Sequence, residues 1–229
     1  MTARRRLEAT FLTGCLGGAV VVHAVRGVEA LSRPFRYEVD VAADEADFGA
    51  VRGARAHLTV TDDLGETRHV DGVIESLAMT ATDAEGESSA TRFRAVVTPT
   101  AALLKLRRGF RIFQEKSVPD IVKKVFRDAG LEDALFRWTV GRSYAPREYC
   151  VQYDESEWDF VARLLEEEGI WYAFEHTESG HVMVLGDARA RAWCDENGVA
   201  ALFQRLNADG GVDREETAAF SAALRAAEK

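Results

Sequence analysis

The chain has 229 residues and carries 29 Lys and Arg against 38 Asp and Glu, a formal net charge of −9. At ~100–200 residues per domain this is one large domain or two small ones. With 47% hydrophobic and 29% charged residues the composition is globular, which excludes global disorder. The acidic balance argues against nucleic acid as a partner, because a general binder needs a basic surface to neutralise phosphate. No apolar run approaches ~18 residues, so no membrane-inserted helix is expected.

Cys15, Cys150 and Cys194 are far apart and odd in number, with no CxxC pair. That spacing forms neither a disulfide framework nor a zinc motif, and the plain reading is free thiols in a reducing cytoplasm. Near the start, Arg4, Arg5 and Arg6 precede Leu12-Thr13-Gly14-Cys15, which resembles a lipoprotein cleavage box. The stretch between them is short and contains Glu8, whereas a leader needs an uncharged apolar stretch of ~7–15 residues. An ordinary β segment with a turn at Gly17-Gly18 is expected instead.

Residues 7–100 read as β structure. Residues 19–25 are rich in Val, and residues 35–41 alternate apolar and polar side chains with the period of a half-buried strand. Further strands are expected at 56–60, 69–74 and 91–98, with a turn at 63–66 and a polar loop at 80–89. Short strands separated by turns imply a sandwich or a barrel.

The pattern changes after Pro99. A helix is expected at 117–129: Ser117 caps it, Pro119 lies in the first turn, and Gly130 stands where a left-handed terminator belongs. Ile121, Val122, Val125 and Phe126 form its apolar face. Ser156, Asp159 and Gly169 repeat the grammar around a second helix, and residues 150–186 read strand, helix, strand, strand. The tail, 188–229, is Ala-rich and reads as two helices around the polar stretch 207–213.

Three stretches carry a resemblance. They are residues 28–37 (VEALSRPFRY), residues 111–121 (RIFQEKSVPDI), and residues 147–156 (REYCVQYDES) continued by 159–161 (DFV) and 163–172 (RLLEEEGIWY). In this order and spacing they resemble the N-terminal hub region of VgrG proteins, the spikes of type VI secretion systems, and the hubs of contractile-phage baseplates. The resemblance covers about residues 8–187; the helical tail does not match it. It implies an α+β, β-rich fold: a barrel-like tube or hub domain with inserted helices, followed here by a short α-helical tail. The parts are a β-barrel-like piece at 7–100, a helix-containing piece at 101–187 and the tail at 188–229. It also implies a noncatalytic role as a homotrimer that docks on an Hcp-like hexameric tube, with an effector or spike partner. The protein would assemble in the cytoplasm and leave through the contractile machine. Members of the family continue into a neck and a needle, so a truncated relative is expected. A phage or prophage hub is the rival reading.

No stretch carries a catalytic signature. Glu166, Glu167 and Glu168 are consecutive on a helix and point ~100° apart, so they read as a solvated helix end rather than a carboxylate pair. Their position near a helix C-terminus is unfavourable and has no local explanation, which makes a partner contact a working hypothesis. His176 and His181 read as surface hairpin histidines, and Cys150 as a buried apolar thiol. Trp138, Trp158, Trp171 and Trp193, with Tyr149, Tyr153 and Tyr172, read as core, a minority as interface anchors. Lys105, Arg107, Arg108 and Arg111 are the dense basic run, read as a solvated loop or an electrostatic contact to a partner.

One weak metal pattern lies in the tail. With Gly210 at the sixth position of an EF-hand loop, Asn207, Asp209, Asp213 and Glu216 fall at ligand positions, but Arg205 takes the first. A cation there damages a calcium cage. A helical hairpin with a degenerate loop is the reading, Ca2+ being the one ion that this pattern addresses. This makes a calcium-responsive binding module through the tail a further alternative function.

Overall fold

The computed structural model describes residues 8–62, 64–82 and 91–187. The tail at 188–229, with Trp193, Cys194 and the calcium-loop positions Asn207, Asp209, Asp213 and Glu216, lies outside the described residues. So does most of the expected loop at 80–89.

The described residues divide into two compact units, the first within 8–29, 34–103 and 175–181 and the second within 30–33, 104–174 and 182–187. In the first unit the strands are β1 (Glu8–Thr13), β2 (Leu16–Gly17), β3 (Val21–Ala30), β4 (Arg33–Ala43), β5 (Glu45–Ala46), β6 (Arg55–Thr61), β7 (Thr67–Thr82) and β8 (Thr91–Thr98), the ends of β3 and β4 reaching into the second unit. Six of them form one curled, half-barrel sheet in the order β1-β6-β7-β8-β4-β3. The pairings β1–β6, β6–β7, β7–β8 and β8–β4 are antiparallel. Strand β4 keeps the expected alternation, with Phe35, Tyr37, Val39, Val41 and Ala43 buried. Strand β7 is much longer than the expected 69–74. Register shifts between Ile74 and Ser76 and between Met79 and Ala81 let it continue past the turn-like polar residues. Such bulges re-aim a strand without ending it.

The second unit holds β9 (Arg108–Lys116), α1 (Val118–Asp128), β10 (Phe136–Thr139), β11 (Arg147–Ser156) and α2 (Glu157–Glu167). Strands β12 (Trp171–Thr177) and β13 (Gly180–Gly186) follow, the tip of their hairpin, residues 175–181, belonging to the first unit. Both helices start as the caps require. Ser117 Oγ accepts from the Asp120 N–H at 3.4 Å and donates to the Asp120 carboxylate at 2.5 Å. Ser156 Oγ does the same with Asp159, at 3.0 and 2.7 Å. Both helices end at glycines in the left-handed region, Gly130 at φ 77° and Gly169 at φ 66°.

The core of this unit is aromatic. Phe113 stacks on Phe160 with centroids 5.6 Å apart, Phe126 on Phe136 at 4.1 Å, and Trp158 meets Tyr172 edge-on at 5.6 Å. Trp158, Trp171 and Tyr172 are buried as expected; Trp138 is half-buried with Lys123 Nζ 5.2 Å above its ring. Strands β9 and β10 were not legible. The basic run hides the first, and four residues are too few for a period in the second.

Gly72 shows how tightly the first unit is built. A Cβ there would lie 2.5 Å from the Thr98 carbonyl oxygen, 2.8 Å from Val97 Cγ1 and 3.2 Å from Phe35 Cζ. A backbone oxygen cannot step aside, so Gly72→Ala is expected to destabilise by ~1–3 kcal/mol, the usual cost of overpacking. Urea unfolding of the two proteins measures it.

Candidate functional site

The second unit presents a two-stranded ribbon, β9 paired antiparallel with β11. Successive strand residues point to opposite faces. The inner face carries Phe113, Cys150 and Gln152, all buried. The outer face carries Phe110 and Ile112 on β9 and Tyr149, Val151 and Tyr153 on β11. The register sets Phe110 opposite Tyr153 and Ile112 opposite Val151, with Tyr149 opposite Gln114. Phe110 and Tyr153 meet edge-on at 5.2 Å, yet the rings are 65% and 76% exposed. Aromatic cross-strand pairs stabilise a ribbon. Tyr149 and Tyr153 therefore depart from the core reading, because the register turns them away from the face that carries Phe113, Cys150 and Gln152.

The basic run is used internally. Arg107 Nε donates to Glu157 at 2.7 Å, Arg108 Nε donates to Asp154 at 2.8 Å, and Arg111 reaches Glu157 at 2.9 Å and Gln152 at 2.8 Å. Glu157 itself is buried. These three arginines find their acids on α2 and β11, about 50 positions away, yet Arg107 and Arg108 stay 49% and 64% exposed, as a solvated run would; Arg111, at 24%, is the more enclosed. The acidic helix end is explained in the same way. Arg147 donates to Glu167 at 2.7 Å and to Glu168 at 2.6 Å, and Arg163 reaches Glu167 at 3.1 Å. The hydrogen bond from Arg147 lowers the Glu167 carboxyl against the opposing effect of burial. Two guanidinium groups thus offset the unfavourable helix end. Burial pushes the Cys150 thiol up, as expected for an inert side chain.

The first unit contains a buried polar network. His176 and His181 are not surface histidines; their side chains are 6% and 4% exposed. The hairpin tip places both rings edge-on against Phe35, at 4.7 and 5.7 Å. The Asp71 N–H donates to His176 Nδ1 and the Thr100 N–H donates to His181 Nε2, each at 3.2 Å. Those nitrogens are acceptors, so the protons sit on His176 Nε2 and His181 Nδ1. His181 Nδ1 then donates to Asp71 at 3.2 Å, and His176 Nε2 faces Glu29 at 3.4 Å. Burial raises the Asp71 carboxyl, but His181 and the charge of Arg55 outweigh it and hold the group below its ordinary value. Glu29 also accepts from Arg68 and from the Tyr37 hydroxyl, both at 2.6 Å. Sequence reasoning missed this network because its members are separated by up to 152 positions; only the polar residues inside β3 and β7 hinted at it. Among the described residues, no three His, Cys, Asp or Glu side chains form a metal-binding group.

Among the described residues the fold is β-rich, with an exposed aromatic face on the ribbon of the second unit. The family model of the phage tail baseplate hub (GPD) matches residues 28–228, and the chain belongs to that family. The match includes nearly all of the tail that reads as unrelated in the sequence. The region is VgrG-like: it is 38% identical over 176 residues to the type VI secretion spike protein VgrG1b of Pseudomonas aeruginosa, covering 76% of this chain and 23% of that protein. It is 31% identical over 181 residues to VgrG3 of Vibrio cholerae, covering 74% and 17%. The chain thus spans under a quarter of these relatives. Among solved structures, the E. coli c3393 protein, a type VI secretion component with structural similarity to the T4 tail proteins gp27 and gp5, is similar with a TM-score of 0.70 and 26% identity. That similarity covers 79% of this chain and 50% of that one. A Francisella PdpA–VgrG complex shares the fold at a TM-score of 0.51 and 14% identity, over 73% of this chain and 25% of that one.

The network carries a pH signature. Burial raises Glu29, but the His176 hydrogen bond and the Arg68 charge bring its pKa from 4.5 down to about 2. A depressed carboxylate stabilises the fold above its unfolded pKa and loses that contribution as pH falls through the folded one. The margin of wild type over Glu29→Gln is expected to be constant above pH 4.5 and to fall by on the order of 3 kcal/mol on acidification to about pH 2. Denaturant unfolding at stepped pH follows it.

Proposed function

We propose that this chain is a noncatalytic structural hub and adaptor of a type VI secretion spike, acting as a homotrimer on an Hcp-like hexameric tube. The observation that carries this reading is the 38% identity to a VgrG spike protein over 76% of the chain, within a hub-family match from residue 28 to 228. The chemistry is consistent with it. The arginines and carboxylates of the second unit neutralise one another, and the exposed aromatic ribbon offers the desolvable area that protein contacts use. In this reading the outer face of β9 and β11 is covered by protein in the assembled spike. A partner of the PdpA kind, held by a VgrG protein in the Francisella complex, is the further occupant proposed for the assembly. The spike leaves the cell through the contractile machine it caps.

The description of the matching family supports a phage or prophage tail hub as the second reading. Tube preference separates the two: an Hcp ring and a phage tail-tube ring are offered in parallel.

Light scattering of the purified chain alone is expected to show a trimer of ~76 kDa from chains of 25.3 kDa, and of the chain mixed with Hcp rings a heavier species in which the two co-elute. The double substitution Phe110→Ser with Tyr153→Ser is expected to abolish assembly while leaving the circular dichroism unchanged. A wild-type chain that stays monomeric and elutes apart from both kinds of ring would overturn the hub reading.

A further inference from the structure

The outer rim of the polar network contains a pair of facing imidazoles. His57 on β6 and His69 on β7 lie on the same face of the sheet, where the register sets His57 opposite Asp71 and Thr59 opposite His69. His57 Nε2 and His69 Nδ1 are 3.3 Å apart. Each outer nitrogen faces a carboxylate: His57 Nδ1 lies 3.7 Å from Asp71 Oδ2, and His69 Nε2 lies 3.9 Å from Glu178 Oε1. Asp71 is in turn held by Arg55 at 3.2 Å and by His181 at 3.2 Å. Thr59 Oγ1 is 3.4 Å from His69 Nδ1.

The order carboxylate, imidazole, imidazole, carboxylate constrains the protons. A neutral imidazole has one N–H and one lone pair. If one ring donates to the other, the donor's outer lone pair is turned toward a carboxylate. Both outer nitrogens can be protonated toward their carboxylates only if both inner nitrogens present lone pairs to each other. Two opposed lone pairs require a cation between them. Two nitrogens bound to one tetrahedral Zn2+ at ~2.0–2.1 Å stand ~3.3–3.4 Å apart, which is the separation seen here. Zinc-ligating histidines likewise direct their second N–H to a carboxylate.

We propose that His57 Nε2 and His69 Nδ1 form a two-imidazole clamp for a divalent transition-metal ion of the Zn2+ type, with Asp71 and Glu178 as the carboxylates that orient the rings. The remaining coordination positions are open to water or to a donor from a partner. Both rings are about one-fifth exposed, and His57, Asp71 and Glu178 line an open cleft of about 560 Å3 together with Arg55 and Ser179, so the ion has a path. A bound ion joins β6 to β7 and stabilises the folded state by mass action.

The test is calorimetric titration of the full chain with Zn2+ after chelator treatment. Wild type is expected to bind one ion per chain and to melt at a higher temperature with Zn2+ than without. His57→Ala and His69→Ala are each expected to lose this binding, and Asp71→Asn to weaken it ~10–100-fold as an orienting partner. His23→Ala, on β3, is expected to bind like wild type. Circular dichroism confirms that each variant is folded; should Asp71→Asn unfold, Glu178→Gln replaces it. Absence of stoichiometric Zn2+ binding by wild type would overturn the proposal. Equal binding by His57→Ala or His69→Ala would overturn it too.

Discussion

Asp71 is the residue on which the interior of the first unit depends. A carboxylate with almost no exposure must be compensated, since an unpaired buried charge costs several kcal/mol. Here the compensation comes from two directions: Arg55 approaches from β6 and His181 from the hairpin tip. The backbone N–H of the same residue donates to His176. One residue therefore fixes two rings of the tip and the tautomer of each. Phe35 then fills the space between them. Had the tip been offered only apolar contacts, its register against β7 would be free to slip; hydrogen bonds with defined donors and acceptors allow one solution.

The second unit meets the same constraint by a different route. Glu157 is buried at the first position of α2, where the helix dipole favours an anion. Arg107 and Arg111 reach it from the segment before and within β9. Arg147 serves the opposite end of the same helix, where the acids are unfavourable. Charge that looks like two separate runs along the chain becomes a set of matched pairs once β9 and β11 are side by side.

Much of the architecture was legible. Strict alternation at 35–41, Ser caps with Asp three residues on, and glycines after each helix are local signals, and local signals survive without tertiary information. The family resemblance was legible for a related reason: its three motifs include the caps, the ribbon strands and the α2 face together. What could not be read were relations between distant residues. His176 and His181 flank a polar turn, so the sequence places them at the surface; their burial depends on Phe35 and Asp71, more than 100 positions away. The arginines at 107, 108 and 111 had no visible partners for the same reason. Alternation puts Tyr149, Val151 and Tyr153 on one face of the ribbon, but nothing local says which face turns outward.

The ribbon also bears on the life of the free chain. Both of its strands have one neighbour within their sheet, and its outer face is aromatic. Unpaired edges beside exposed rings are a template for adding strands from any chain that comes near. In the assembly proposed above, a newly made chain would hold this surface free until its neighbours cover it, and off-pathway strand addition would be limited by how short that interval is.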